Sequence, residues 1–163
     1  MFSDLRGNIA TRLDKAADFD AIVMAAAAID RLGLSLDDRV VDVLDVTTML
    51  PQVAQGALAV ECRADDESTR ALLVALDHHR TRVAVTAERG FLAELGGDCD
   101  LPVGAHAILD GDRVTLDALV AAPDGSLVLR ATRSAPMAEA AALGASLARH
   151  LLDDAGGAAL LGR

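Results

Sequence analysis

A cysteine in a glycine-rich loop is the residue of this sequence best suited to covalent chemistry. Cys99 lies in segment 95–102, which holds two glycines, two aspartates and a proline and follows a strongly helical stretch. These residue types specify a turn. The thiol is therefore expected to be presented to its surroundings, whereas most free cysteines are packed in a core. We interpret the loop as an attachment or reaction point.

The charges around Cys99 disfavour a strongly activated thiolate. The thiol follows the C-terminal end of a predicted helix and is flanked by Asp98 and Asp100, whereas reactive thiolates lie at helix N-termini or beside cations. These charges make a rapidly cycling nucleophile less favourable. They favour a thiol that reacts once with an electrophile and then remains a thioether. From the local residues alone, a thiol that forms a thioether and an inert structural cysteine in the loop are equally well supported.

The composition describes an acidic chain that can build a packed core. Of its 163 residues 52% are hydrophobic, the formal net charge is -10, and Lys15 is the single lysine. Such a surface repels polyanions, and without Trp or Tyr there is little to stack on bases, so we expect no nucleic-acid partner. An acidic substrate would need arginines placed in a pocket, where the guanidinium pairs with carboxylates.

The two cysteines indicate in which cellular compartment the protein works. Cys62 and Cys99, with no signal peptide and no long apolar stretch, fit a reducing cytoplasm. The apolar run 21–29 is too short to span a bilayer, so we expect no membrane partner.

His78 and His79 would point about 100° apart on a helix and could not share a metal ion. We predict no metal site.

The hydrophobic pattern after the Cys99 loop predicts a small α+β module over residues 75–163. Three short runs alternate with a period of two and are joined by hairpin signals at 110–112 and 123–126. The runs cover residues 103–109, 114–121 and 126–132. Helical spacing precedes them over 81–95 and follows them over 137–154. We therefore predict a three-stranded antiparallel sheet with helices on one face.

The first part of the chain does not close into a domain by its own pattern. Apolar residues over 20–27 and a run entered through a glycine over 55–63 predict two buried strands. Two isolated strands leave open edges and do not make a stable sheet. We interpret them as strands whose partners are missing from this sequence.

Seven segments, in order, carry the pattern of a known family. They are LRGNIATRL (5–13), DAIVMA (20–25), RLGL (31–34), LPQVAQGAL (50–58), ECR (61–63), AERGFL (87–92) and GGDCDLP (96–102). Together they resemble porphobilinogen deaminase, also called hydroxymethylbilane synthase, over the whole chain. Two positions depart from the family pattern: Ala54 stands where glycine is more usual, and Asp98 where the family often has a small residue.

The resemblance implies a transferase of tetrapyrrole (heme) biosynthesis. Such an enzyme joins four porphobilinogen units into linear hydroxymethylbilane with release of ammonia, on a dipyrromethane primer that would be held as a thioether on Cys99. Arg6 and Arg12 match the positions that bind the pyrrole carboxylates. Gln55 and Gly56 match the segment that lines the cofactor.

The resemblance also implies a fold and an incomplete chain. The fold is α/β plus α+β, a remnant of a periplasmic-binding-protein-like domain followed by the antiparallel sheet. Residues 1–50 would be the tail of the second α/β domain, 51–74 a crossover strand and helix of the first, and 75–163 the C-terminal domain with the cofactor cysteine. The family's catalytic aspartate has no match here, so no catalytic residue is identified, and we expect the chain to be inactive without a complementing N-terminal chain.

Two other classes stay open. One is a non-catalytic α+β binding or assembly module that needs a partner chain. The other is a thiol enzyme that uses Cys99 directly, which the flanking aspartates disfavour.

Overall fold

The structure, a computed structural model, describes residues 3–97 and 100–162. Chain contacts divide it into a first unit, Met1–Leu44, and a second unit, Asp45–Arg163. The first unit contains helices α1 (Ile9–Asp14) and α2 (Ala26–Leu32). The second contains α3 (Glu67–Leu73), α4 (His79–Glu94), strands β1 (Val103–Asp110), β2 (Arg113–Ala121) and β3 (Val128–Pro136), and helices α5 (Ala140–Arg149) and α6 (Gly157–Leu160).

Helix α4 confirms the helix predicted over 81–95. Its apolar residues recur every four positions, and Val83, Ala87 and Phe91 are buried against the sheet and α5. The helix begins two residues earlier than predicted because the His78 side chain accepts a hydrogen bond from the Thr81 backbone N–H and so caps the first turn.

The strands form an antiparallel sheet in the order β1-β2-β3, as predicted. The first hairpin pairs Asp110 with Arg113 and places Gly111 in the turn with a φ of 55°, a conformation that suits glycine. Alternate β2 residues face the helices and are fully buried, among them Leu116 and Val120. Strand β3 extends to Pro136, beyond the predicted end at 132, because its pairing with β2 continues to the hairpin.

Helices α4 and α5 cover one face of the sheet and touch each other through their backbones. A Cβ on Gly144 of α5 would lie 2.5 Å from the Phe91 backbone nitrogen and would also collide with the carbonyl of Ala87. A Cβ on Gly90 of α4 would lie 2.5 Å from the Ala141 carbonyl oxygen. Real Cβ atoms do not approach so closely, so both positions require glycine.

The two buried strands predicted over 20–27 and 55–63 are wrong for this structure. Residues 21–25 and 57–63 lie outside helices and strands, and residues 26 and 27 begin α2. The Leu58 side chain is 92% exposed and Val23 67% exposed. A strand is stable only where neighbours pair its backbone groups, and in the described part of the chain these segments have no strand partner. The predicted domain boundaries at residues 50 and 74 refer to the complete fold that the family resemblance implies, and they stay a prediction.

Candidate cofactor-binding site

The turn over residues 52–56 contains both residues predicted to line the cofactor. The backbone N–H of Gln55 donates to the carbonyl of Gln52 (3.0 Å), and that of Ala57 donates to the carbonyl of Ala54 (3.1 Å). Gly56 has a φ of 80°, which explains a glycine at this position.

Ala54 also adopts a left-handed conformation in this turn. Its φ is 59°, and it is the one non-glycine residue with positive φ in the described chain. For alanine this conformation costs roughly 1–2 kcal/mol. The departure noted in the sequence, alanine where the family more often has glycine, therefore falls at a position where glycine is conformationally favoured.

The segment before the turn covers the open edge of β1. The N–H of Ala105 donates to the carbonyl of Pro51 (2.9 Å). A Cβ on Gly104 would lie 3.1 Å from the carbonyl oxygens of Leu50 and Pro51, so a glycine at this position permits the close approach. An edge strand with unpaired N–H groups would otherwise invite association with other chains.

A buried carboxylate holds the turn itself. Glu88 of α4 is 6% exposed. Its Oε2 accepts a hydrogen bond from the Ala54 N–H (2.7 Å) and its Oε1 accepts one from the Ala107 N–H of β1 (2.9 Å). The sequence reasoning quoted Glu88 within a motif but gave it no role. The available signal was a charged residue four positions from both Ala84 and Leu92, on the apolar face of a predicted helix.

A cavity of about 260 Å³ lies against this turn. It is lined by Gln52, Val53, Ala54, Gln55, Gly56, Leu92 and Val103. The structure thus brings Gln55 and Gly56 together with apolar side chains of α4 and β1. Typical ligand pockets measure about 300–1,000 Å³, so this cavity is slightly below that range. Its lining combines the amide side chains of Gln52 and Gln55 with apolar side chains.

The loop that contains Cys99 begins beside this cavity. Cys99 and its neighbour Asp98 lie outside the described residues, and the predicted attachment point stays a prediction. A Cβ on Gly97 would lie 3.5 Å from Cδ1 of Leu92, which lines the cavity, and would collide with Leu101. The described start of the loop is therefore next to the wall that Gln55 and Gly56 also line.

The two arginines predicted to bind carboxylates belong to the first unit. Asn8 caps α1 by accepting a hydrogen bond from the Thr11 N–H (2.9 Å), and Arg12 Nε donates to the carbonyl of Gly7 (2.8 Å). The Arg6 side chain is 91% exposed and lies 3.8 Å from Asp4. Arg12 of helix α1 is thus anchored locally, and the Arg6 guanidinium is exposed within ion-pair distance of Asp4.

Two further findings concern ions and membranes. Within residues 3–97 and 100–162, no three His, Cys, Asp or Glu side chains are grouped so that they could hold a metal ion. No helix in the same part of the chain has the length and apolar character needed to cross a membrane.

An ion pair on the outer face of the sheet positions the segment that leads into the turn. Arg130 of β3 donates from Nε to Oδ1 of Asp117 on β2 (3.0 Å) and from Nη1 to the carbonyl of Thr47 (2.6 Å). The Thr132 hydroxyl donates to the same carboxylate (3.2 Å). The hydrogen bonds and charge of Arg130, with the Thr132 hydroxyl, hold the pKa of Asp117 below its ordinary value despite partial burial.

Asp117→Asn is expected to cost stability at neutral pH and little in acid. Because the pKa of Asp117 is lowered in the folded state, its stabilisation is present above the unfolded-state pKa of about 4 and is lost as pH falls through the folded-state pKa. For this solvent-screened pair we expect a loss of about 0.5–1 kcal/mol at pH 7. Urea unfolding at several pH values measures it, with exposed Asp153→Asn as control. A loss independent of pH would contradict the assignment.

A three-stranded antiparallel sheet with two helices on one face and a turn-lined cavity at its edge defines a small α+β domain. Two family models match this chain: "porphobilinogen deaminase, dipyromethane cofactor binding domain" over residues 1–71, and "porphobilinogen deaminase, C-terminal domain" over residues 82–153. The chain belongs to the porphobilinogen deaminase family, which uses a dipyrromethane cofactor.

A curated relative supports the same family. The porphobilinogen deaminase of Roseiflexus castenholzii is 48% identical over 160 residues, which cover 97% of this chain and 52% of the relative. The chain therefore spans about half the length of the relative that it matches.

Proposed function

We propose that this chain is the cofactor-bearing part of a porphobilinogen deaminase, an enzyme that joins four porphobilinogen units into linear hydroxymethylbilane with release of ammonia. The observation that carries the proposal is the cavity lined by Gln55 and Gly56 beside the start of the Cys99 loop, in a chain matched by two models of this family. We place the dipyrromethane on Cys99 as a thioether.

The chemistry of attachment needs no unusual activation of the thiol. When porphobilinogen reacts with Cys99, the C–N bond of its aminomethyl group breaks and a C–S bond forms, and ammonia leaves with the proton of the thiol. This attachment to the thiol runs once for each chain, which agrees with a loop whose aspartates disfavour rapid thiolate cycling. A second porphobilinogen then loses its amino group as ammonia, and its methylene carbon bonds to the free α-carbon of the first pyrrole, which gives up its proton, so that a dipyrromethane forms. When bound, the dipyrromethane supplies the pyrrole carbon to which the next unit is joined.

Each remaining site residue has a proposed role that follows from its chemistry. The Gln55 amide can hydrogen-bond a pyrrole edge, and Gly56 lets the backbone approach the ring. Arg6 and Arg12 are the proposed partners of the acetate and propionate groups. A guanidinium binds a carboxylate through two parallel hydrogen bonds, which an acidic chain requires in order to hold an acidic substrate.

The exposed apolar segments support a partner for this part of the enzyme. Val40 is fully exposed in the first unit and Leu58 in the second is 92% exposed. We propose that 1–50 and 51–74 are remnants of the periplasmic-binding-protein-like α/β domains and that 75–163 is the C-terminal domain. Their exposed apolar segments would pack against the part of the enzyme outside the matched stretch, supplied in the same chain or by a complementing one, in the cytoplasm.

The same exposed segments favour a second candidate function. A non-catalytic α+β assembly module would also present exposed apolar segments to a partner chain. The two candidates differ in the thiol, because only the deaminase part gains a two-pyrrole adduct on Cys99.

The 163-residue chain alone is expected to form no hydroxymethylbilane from porphobilinogen. The family's catalytic aspartate has no match here, and general acid–base catalysis contributes about 10²- to 10⁴-fold. Uroporphyrinogen formation, read as porphyrin absorbance after oxidation, measures the turnover.

The matched control is the full-length Roseiflexus relative. The part of that relative outside the matched stretch, mixed with this chain, is expected to restore turnover above the chain alone. Turnover by the chain alone at the level of the full-length relative would contradict the proposal.

A further inference from the structure

We propose that Glu88 is a positioning residue for the cofactor site: its carboxylate fixes the 52–56 turn against β1 and so sets where Gln55 and Gly56 face the cavity. This inference rests on the proposed function. It assigns a role to the one charged side chain that is buried among the described residues.

The two hydrogen bonds of Glu88 connect segments that are far apart in the chain. One oxygen accepts from Ala54, 34 residues before Glu88, and the other accepts from Ala107, 19 residues after it. Ala107 lies on the outer edge of β1, where no fourth strand takes its N–H. The carboxylate therefore accepts the hydrogen bond that a neighbouring strand would otherwise accept at this edge. It connects helix α4 to strand β1 and to the 52–56 turn.

A carboxylate is the side chain that can accept hydrogen bonds from both backbone N–H groups. It offers two acceptor oxygens and no donor, so it satisfies both backbone N–H groups at once. Glutamine keeps one acceptor but aims its own NH₂ group at the second N–H. Aspartate is one methylene shorter and cannot reach both N–H groups from the same helix position. Either change leaves a backbone N–H poorly satisfied, which is costly in a buried place.

The hydrogen bond between Ala54 and Glu88 lies next to the proposed cofactor site. Ala54 holds a left-handed conformation that alanine disfavours (φ 59°), and the bond from its N–H to Glu88 (2.7 Å) keeps it there. Gln55 and Gly56 follow directly and line the cavity. Release of Ala54 would let the turn relax and move both residues, and small displacements of positioning groups reduce reaction rates strongly.

The first test measures the turn by amide hydrogen exchange in the whole chain. In Glu88→Gln, exchange at Ala54 and across 52–57 is expected to become about tenfold faster, while the amides of β2 keep their protection. Glu94→Gln on the same helix is the matched control, because Glu94 pairs only with the surface residue Arg149 among the contacts described (3.0 Å). Unchanged exchange at Ala54 in Glu88→Gln would overturn the proposal.

The second test measures attachment at Cys99 with porphobilinogen as the probe. Intact-protein mass spectrometry follows the pyrrole adduct, and iodoacetamide alkylation of Cys99 is measured in parallel. Glu88→Gln is expected to slow adduct formation about tenfold and leave alkylation unchanged, whereas general unfolding would change both. Glu88→Asp is expected to stay slow, because the negative charge without the reach does not restore the second bond.

The outcomes separate this inference from the proposed function. Equal adduct rates in the unchanged chain and in Glu88→Gln would overturn the positioning role. If the unchanged chain gains no adduct, the proposed attachment at Cys99 fails, and the hydrogen-exchange result alone decides whether Glu88 fixes the turn.

Discussion

Cys99→Ser is expected to gain no pyrrole adduct from porphobilinogen, whereas Cys62→Ser gains as much as the unchanged chain. A serine hydroxyl is far less acidic and less nucleophilic than a thiol and cannot take its place in a thioether. Cys62 is half-buried, lies in segment 57–63 and is not among the residues that line the cavity. Intact-protein mass spectrometry after incubation, followed by peptide mapping, measures the adduct and its position.

The same measurement distinguishes the three functional classes. An adduct of two linked pyrroles on Cys99 supports the deaminase. A Cys99 that stays unmodified and reacts slowly with iodoacetamide supports the assembly module. Rapid alkylation at neutral pH would indicate a lowered thiol pKa and a thiol enzyme. An adduct on Cys62 that survives Cys99→Ser would contradict the assignment of the attachment point.

Gly144→Ala is expected to be the most destabilising single-methyl change in the second unit. The added Cβ would lie 2.5 Å from the Phe91 backbone nitrogen and 2.9 Å from the Gly90 carbonyl carbon. These atoms belong to the backbone of α4, so no side chain can rotate away and the helices must separate. We expect a loss of about 3 kcal/mol in the free energy of unfolding, at the upper end for overpacking, and a Tm lower by roughly 10–20 °C.

Ala142→Ser is the matched control for this change, because it also adds one heavy atom to α5 but at an exposed position. Thermal and urea unfolding of both variants give the comparison. The higher helix propensity of alanine over glycine favours Gly144→Ala by about 1 kcal/mol, so a measured loss understates the steric cost. A variant as stable as the unchanged chain would show that α4 and α5 do not touch through their backbones.

The local patterns predicted helix α4 and the three strands of the second unit well. Helix α4 repeats its apolar residues with the period of a helix, and the three strands alternate with a period of two, so each element could be predicted from a short window. The hairpins followed from glycine and aspartate at 110–112 and 123–126. These features depend on residues within a few positions of one another, which is why the prediction and the structure agree.

The predicted strands over 20–27 and 55–63 failed for the opposite reason. Their apolar composition is typical of buried strands, but a strand exists only through hydrogen bonds to neighbours distant in sequence. In the described chain those neighbours are missing, and the apolar side chains of Val23 and Leu58 are exposed. Residue type alone could not tell whether such partners are present.

The sequence by itself determined the family, through seven ordered segments that lie within the ranges of two family models. Its resemblance to the family also predicted the site residues, which stay a prediction: Cys99, Arg6, Arg12, Gln55 and Gly56. Only the tertiary structure showed that Gln55 and Gly56 line a cavity beside the start of the Cys99 loop, and that Glu88 holds their turn. The physical reason is that a buried carboxylate is satisfied by backbone N–H groups 34 residues before it and 19 after it. No local pattern records contacts of that range.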